Sequence, residues 1–218
     1  MSKILSVYFS SERTYLTLSD LTAKGIRLLY INSTEVPIDL EDIDTDNSVL
    51  GTQELEIYLS DTIKDIDRIT VTISAENALI SQIPGGDDIS QEDLKNLIKL
   101  EINQAYPNLK FEDFTTHVYP LDTKKDGSKM MMAAIVPKKI YENAEKVLNS
   151  AGKPVQNIEI SQINAQNAFL FNYPELVEAP VVLLGIDKQF VDISVMKDSK
   201  PLYYNLARIK DSSKMGDV

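Results

Sequence analysis

The order of apolar runs over residues 1–73 constrains the fold more than any other feature of this sequence. Three short β-rich runs come first, at residues 4–9, 14–18 and 26–31. A polar, acidic segment at residues 37–48 reads as a solvated loop, and a helical pattern follows it, with Thr52 as the expected N-cap. The apolar face of that helix comprises Leu55, Tyr58, Leu59, Thr62, Ile63 and Ile66. A β-branched run, Ile69–Ile73, then predicts a buried strand.

Three strands, a helix and a further strand is the order of a ribonuclease-H-like half-domain. The same pattern begins again after residue 153, with a strand over Val155–Ile160 and a helix marked by Ile163, Asn167, Ala168 and Phe171. Three successive strands are then expected at Val181–Ile186, Phe190–Met196 and Pro201–Arg208. The predicted class is α/β.

A separate β-α-β-β-α unit interrupts the two patterns. Its strands are expected at 78–83, 111–119 and 129–136, with turns at 84–88 and 123–128. Ser90 with Asp93 resembles a capping box for the first helix. The apolar positions of the two helices are Leu94, Leu97, Ile98, Ile102, Ala105, then Ile140, Tyr141, Ala144, Val147, Leu148 and Ala151. Gly152 suits the position just after the second helix. We therefore expect four parts: 1–77, an inserted subdomain at 78–152, a return at 153–209, and a frayed tail at 210–218.

Composition excludes several classes of function. A net charge of −11 argues against a nucleic-acid partner and against charge-driven binding to an anionic membrane. The absence of cysteine excludes disulfides, thiol catalysis and thiolate metal sites. No apolar run approaches the roughly 20 residues of a membrane span, and no segment resembles a signal peptide.

Several isolated residues could carry chemistry, but each has a simpler structural interpretation. His117 is the only histidine, so a zinc site would need three carboxylates beside it, which is uncommon. A Ser-His-Asp triad could use His117, but the sequence has no Gly-x-Ser-x-Gly elbow. The acidic run between Asp39 and Asp46 lacks the glycine and final glutamate of an EF-hand. Glu101 is expected at the edge of its helix face, and Asp87 with Asp88 would repel a phosphate in the 84–88 turn. We therefore predict no metal site and no catalytic residue.

Four passages resemble the PilM family of actin-like proteins, and together they lie between Ile69 and Ile209. They are Ile83-Pro84 with the helix Leu94–Pro107, the strand end Ala133–Lys138, the helix end Val147–Val155, and the hairpin Val191–Leu202. The cytoplasmic domains of type II secretion L-proteins share this architecture and remain an alternative. The resemblance implies a ribonuclease-H-like, actin-like (ASKHA) half with an inserted subdomain. PilM-type chains are longer than this one, which leaves open whether the chain is complete.

The resemblance also implies an ATP site with an acid and a glycine in each of two hairpins. In the first hairpin Val7 stands at the acid position and Phe9 at the glycine position, leaving Ser10 and Ser11 as remnants of the loop. In the second, alignment on Asp192 puts Gly185 at the acid and Asp187 at the glycine; a shift by two residues puts Asp187 at the acid and Gln189 at the glycine. Both loops therefore look degenerate, and no bound ATP or Mg²⁺ is expected.

These features predict a cytoplasmic scaffold of a type IV pilus or secretion-like assembly. The resemblance implies that a PilN-like inner-membrane protein, bound through its cytoplasmic tail, holds the chain at the membrane. A homodimer is compatible with this prediction. Two alternatives stay open: an actin-like ATPase with an unusual nucleotide site, and an actin-fold protein unrelated to pili.

Overall fold

The first three strands form an antiparallel meander. The computed structural model describes residues 2–23, 25–62, 65–86, 89–121 and 127–209. Strand β1 spans Ser2–Phe9, β2 spans Thr14–Thr22 and β3 spans Gly25–Ser33. Strands send alternate side chains to opposite faces, so Leu5, Val7 and Phe9 are buried together. The three predicted strands are confirmed.

Two parallel strands complete a five-stranded sheet. Strand β4, Arg68–Ile73, runs parallel to β1, and β8, Val155–Ile160, runs parallel to β4. The strand order is β3-β2-β1-β4-β8. Ile69, Val71 and Ile73 are almost fully buried, as expected for a central strand.

Helices α1, Asp46–Thr62, and α3, Lys138–Val147, contribute to the core of this part. The predicted N-cap, Thr52, is wrong: the helix starts six residues earlier, where the Thr45 hydroxyl accepts a hydrogen bond from the Ser48 N–H at 3.3 Å. The propensity pattern missed this turn because Asp46–Leu50 has few buried apolar residues. The core members from these helices and the adjoining loops are Ile38, Leu40, Leu55, Leu59, Ile140, Ala144, Val147 and Leu148. Ile63 lies outside the described residues.

The inserted segment folds as a three-stranded antiparallel sheet with one helix. Strand β5 spans Leu79–Gly85, α2 spans Gln91–Ala105, β6 spans Phe114–Pro120 and β7 spans Lys129–Pro137, in the order β5-β7-β6. The Ser90 side chain caps α2 by accepting from the Asp93 N–H at 3.1 Å, as predicted. The core of this sheet and helix consists of Ile83, Ile98, Ile102, Phe114, Ala133 and Ile135.

Three local expectations in this segment need correction or fall outside the structure. Residues 111–113 form a 3₁₀ turn rather than the start of β6, since Asp113 caps that turn through the Lys110 N–H. Pro84 and Gly85 belong to β5 rather than to a turn. Asp87, Asp88 and residues 122–126 lie outside the described residues.

The last elements are helix α4 and a second antiparallel meander. Helix α4 spans Ser161–Asn172, β9 spans Val181–Ile186, β10 spans Phe190–Lys197 and β11 spans Lys200–Arg208. The strand order is β11-β10-β9. All three predicted strands and the helix are confirmed. Gly152 has the left-handed conformation expected of it, with φ 68°, but it follows a 3₁₀ turn at Asn149–Ala151, because α3 already ends at Val147. The predicted tail, residues 210–218, lies outside the described residues.

The chain divides into two compact units. One contains Met1–Asn77 and Lys139–Asn164, and the other contains Ala78–Lys138 and the residues from Ala165 onward. The four-part division into 1–77, 78–152, 153–209 and 210–218 stays a prediction. The predicted α/β class is confirmed by the one mixed sheet, the two antiparallel sheets and the four helices described above.

Candidate functional site

The first candidate site is the turn between β1 and β2, which corresponds to the first expected phosphate loop. Val7 and Phe9, at the acid and glycine positions, are 0% and 1% exposed. Their side chains fill the apolar core of the five-stranded sheet. An apolar side chain offers Mg²⁺ no oxygen ligand, so this strand end does not provide the acid that the metal needs.

Two backbone N–H groups of this turn already donate to a side chain. The N–H groups of Glu12 and Arg13 both donate to the Ser10 hydroxyl oxygen at 3.3 Å. The same hydroxyl donates to the Arg13 carbonyl at 2.8 Å. A phosphate-binding loop needs its N–H groups directed at the ligand, whereas here Ser10 receives them. Ser10 is buried and Ser11 is half-buried.

The turn between β9 and β10 is the second expected phosphate loop. The Asp187 N–H donates to the Phe190 carbonyl at 2.9 Å, which closes the hairpin. The Gln189 N–H donates to Asp187 Oδ1 at 3.1 Å. A carboxylate therefore occupies the concave side of the turn, and its negative charge would oppose an incoming phosphate.

Asp192 lies within the sheet rather than in the turn. It pairs across the strands with Gly185 and is 4% exposed. A Cβ built on Gly185 would lie 2.2 Å from Asp192 Oδ2, so no side chain, acidic or otherwise, fits at residue 185 beside this carboxyl. The Asp192 carboxylate fills the space beside residue 185, and this explains why residue 185 is a glycine.

Burial dominates the electrostatics around Asp192. Burial raises the pKa of the Asp192 carboxyl, and a hydrogen bond from the Gly185 backbone opposes part of that rise. Burial and the nearby Asp192 charge raise the pKa of the Tyr204 hydroxyl as well. Within the described residues, Asp192 Oδ1 and the Tyr204 hydroxyl have no hydrogen-bond partner. Ser194, on the same buried face, accepts from the Gln166 amide at 2.6 Å.

The structure brings the predicted loop residues into two separate hairpins. Ser10 and Ser11 lie in the first, while Asp187 and Asp192 lie in the second, five residues apart and with different burial. Sequence reasoning missed the Ser10 hydroxyl bonds and the Gly185–Asp192 contact. The Gly185–Asp192 contact could have been found from the hairpin register, which places residue 185 opposite residue 192.

A different kind of site is offered by the edge strand of the inserted sheet. Of the described strands, β6 pairs only with β7, so one side of its backbone faces away from the sheet. Thr115 and His117 are exposed on it, and the rings of His117 and Tyr119 are 4.5 Å apart. An exposed strand edge can accept an extended peptide through main-chain hydrogen bonds.

The edge strand β3 differs from β6 in carrying features that discourage pairing. It exposes apolar side chains, including Ile26 at 62% and Ile31 at 64%. However, its register shifts opposite Leu18 and Ser19, and Arg27 forms an ion pair with Asp20 at 3.0 Å. Irregular register and charge are both devices that blunt sheet edges.

The remaining sequence candidates have local structural roles. Glu101 accepts a hydrogen bond from the Ser81 hydroxyl, which joins α2 to β5. In the acidic segment, Asp39 and Asp42 each accept from a backbone N–H two residues further on, as in ordinary turns. Across the described part of the chain, no group of three or more His, Asp or Glu side chains is arranged to hold a metal ion. Nor does any helix there have the length and apolar character needed to cross a membrane.

Comparison with known proteins bears on the fold. No protein-family model matches this sequence, and no curated protein matches it in sequence. A chain of the "PilM-PilN type IV pilus biogenesis complex" matches in structure with a TM-score of 0.70 at 13% identity, over 96% of this chain and 62% of that one. The present chain thus spans less than two thirds of that PilM-complex chain.

Two further solved structures share the architecture. A Bacteroides thetaiotaomicron protein with an actin-like ATPase fold matches with a TM-score of 0.55 at 12% identity, over 98% of this chain and 73% of that one. The cytoplasmic domain of EpsL, an inner-membrane component of the Vibrio cholerae type II secretion system, matches with a TM-score of 0.55 at 9% identity, over 95% and 71%. The predicted resemblance is therefore confirmed at the level of fold: this chain has the actin-like fold found in pilus and secretion proteins.

Proposed function

We propose that this protein is a scaffold of a type IV pilus or secretion-like machine, which binds the cytoplasmic tail of an inner-membrane protein and hydrolyses no nucleotide. The carrying observation is the structural match to a chain of the PilM–PilN complex over 96% of this chain. That complex joins PilM with PilN in type IV pilus biogenesis, and the EpsL domain belongs to an inner-membrane component of a type II secretion system. The proposed location is accordingly the cytoplasmic face of the inner membrane, reached through the partner.

The proposal that the chain is not an ATPase depends on the two hairpins. Catalysis of phosphoryl transfer needs a positioned Mg²⁺ and N–H groups aimed at the phosphates. In the first hairpin, the Ser10 hydroxyl takes two backbone N–H groups, and Val7 stands where an acid is required. In the second, the Asp187 carboxylate takes the Gln189 N–H. Residues in these positions do not fit Mg-ATP, so the proposed role uses the fold for binding alone.

The proposed binding site for the tail is the β6 edge of the inserted sheet. An extended peptide would add a strand beside β6, with its side chains contacting exposed Thr115 and His117. The net charge of −11 would steer a basic juxtamembrane segment toward the protein, with an association rate that falls as ionic strength rises. The preferred ligand is therefore a short tail that mixes basic and apolar residues.

A peptide titration tests this proposal. The probe is a synthetic peptide with the cytoplasmic tail sequence of the inner-membrane protein encoded beside this one. Micromolar binding is expected, with amide shifts concentrated on residues 114–120 and on neighbouring β7, and with weaker binding at higher salt. His117→Lys should weaken binding by charge repulsion, whereas Ile26→Lys, an equal charge change on β3, should not.

Three results would contradict the proposal. If no amide signal shifted at millimolar peptide, the protein would not bind the tail, and the proposed attachment to the membrane through that tail would fail. Shifts centred on β3, together with sensitivity to Ile26→Lys, would move the binding site to the other sheet. Binding that is insensitive to salt would remove the electrostatic part of the argument.

A further inference from the structure

The edge of β6 that faces away from β7 offers backbone hydrogen bonds over a short stretch. The Phe114 N–H already donates to the Phe111 carbonyl, and Pro120 has no N–H to donate. Residues 115–119 lie between these limits. In an antiparallel pair, alternate residues direct their N–H and C=O groups away from the partner strand. Main-chain hydrogen bonds can therefore hold an added strand over about five residues.

Strand β6 has an apolar side and an aromatic side. Phe114 is part of the core formed with α2, and Val118 packs against that core. His117 and Tyr119 point to the other side, because successive strand residues alternate. A strand added beside β6 follows the same alternation. Its side chains next to residues 116 and 118 therefore face the apolar side, and the side chain between them, next to residue 117, faces the aromatic side.

The aromatic side carries two rings in contact. The ring centroids of His117 and Tyr119 are 4.5 Å apart, with 54° between the ring planes. His117 is exposed and Tyr119 is half-buried. Across the strand pair His117 lies opposite Ala134, whose side chain is a single methyl group. Side chains directly opposite each other in a sheet have Cβ atoms about 5 Å apart, so a long side chain next to His117 reaches both rings.

The chemistry around the rings favours arginine among the long side chains. The net charge of −11 attracts a cation, but residues 114–120 include no Asp or Glu that could pair with it. Recognition of a cation at this position therefore falls to the rings. The planar, weakly hydrated guanidinium of arginine stacks on aromatic rings, whereas the compact ammonium of lysine holds its water more strongly.

We propose that the β6 edge selects a tail segment of the form apolar–arginine–apolar. The arginine lies on the His117–Tyr119 ring pair, and the two apolar side chains extend the side formed by Phe114 and Val118. This inference rests on the proposed tail-binding function, because it specifies which residues the same edge accepts. His117 and Tyr119 are then the residues that determine specificity.

The test uses three designed peptides of about nine residues, capped at both ends. Each has the centre Val-Xaa-Val between runs of three threonines, with Arg, Lys or Gln as Xaa. Titration into ¹⁵N-labelled protein should shift the amide signals of residues 114–120. The arginine peptide should bind about two- to fivefold more tightly than the lysine peptide, with the glutamine peptide weakest. His117→Leu and, separately, Tyr119→Leu should reduce the preference for arginine over lysine.

Tyr15→Leu provides the matched control, because it removes a tyrosine ring that is 39% exposed on a different strand, β2. The preference for arginine should persist in this variant. His117 is exposed, so His117→Leu keeps the test decisive even if Tyr119→Leu impairs folding.

Three results would overturn the inference: no shift of residues 114–120 with any designed peptide, equal affinity for the arginine and lysine peptides, or an unchanged preference in His117→Leu. Each of them can occur while the natural tail peptide still binds, which would leave the proposed function standing. If the arginine peptide behaves as expected and the natural tail peptide does not bind, the specificity of the edge is supported and the proposed partner is wrong.

Discussion

Substitution of Gly185 tests how tightly the second hairpin packs against Asp192. The added methyl group of Gly185→Ala would lie 2.2 Å from Asp192 Oδ2 and 2.7 Å from its carboxyl carbon. Ordinary contacts are about 3.5–4.0 Å, so more than an ångström of overlap must be relieved inside a sheet. Overpacking of this kind costs about 1–3 kcal/mol.

A double-mutant cycle isolates the contact. In an Asp192→Ala background the carboxyl is absent, and Gly185→Ala should then be neutral or stabilise by up to about 1 kcal/mol through the unfolded chain. The expected coupling energy is about 1–4 kcal/mol, the difference between these two effects of Gly185→Ala. Urea denaturation followed by circular dichroism measures each free energy of unfolding, with the m-value checked for constancy.

Asp187→Ala is the matched background, because it removes a carboxylate that is not among the three atoms nearest the new methyl group, all of which belong to Asp192. The cost of Gly185→Ala should persist there. A cost below about 0.5 kcal/mol in the otherwise unchanged protein, or an equal cost in the Asp192→Ala background, would refute the packing argument.

Three further predictions concern pH, the core and the nucleotide. Because burial raises the folded-state pKa of Asp192, the free energy of unfolding should fall as pH rises from the unfolded-state pKa through the folded-state pKa. Asp192→Asn should remove this fall, and a variant with the same pH profile as the unchanged protein would contradict the prediction. Ile102→Ala should destabilise by about 2–5 kcal/mol and Leu97→Ala by clearly less, since Ile102 is fully buried and Leu97 is half-buried; equal losses in denaturation would contradict that helix register. Mg-ATP should leave the melting temperature unchanged, whereas a ligand at 100 times its Kd would stabilise by about 2.7 kcal/mol, so a saturable rise would restore the ATPase alternative.

Local patterns in the sequence were sufficient to predict most of the elements. Alternating burial in β1 and the β-branched run of β4 are properties of neighbouring residues, so they can be read without the fold. The Ser90 cap and the left-handed Gly152 depend on three or four adjacent residues and were predicted for the same reason. The start of α1 was not predicted, because its first turn is held by the hydrogen bond between Thr45 and Ser48 rather than by apolar residues at helical spacing.

Only the tertiary structure decided which apolar runs are covered and how the two hairpins are closed. Residues 26–31 and Val181–Ile186 have the composition of buried strands, yet each exposes most of its apolar residues, since burial depends on distant elements that pack against a face. The sequence by itself determined that residues 7 and 9 are Val and Phe, and the resemblance puts these residues at the positions of an acid and a glycine. That the Ser10 hydroxyl takes the amides of one turn, and that Asp192 leaves room only for glycine at residue 185, follows from strand register and side-chain approach. Those contacts join residues that composition and local spacing do not connect.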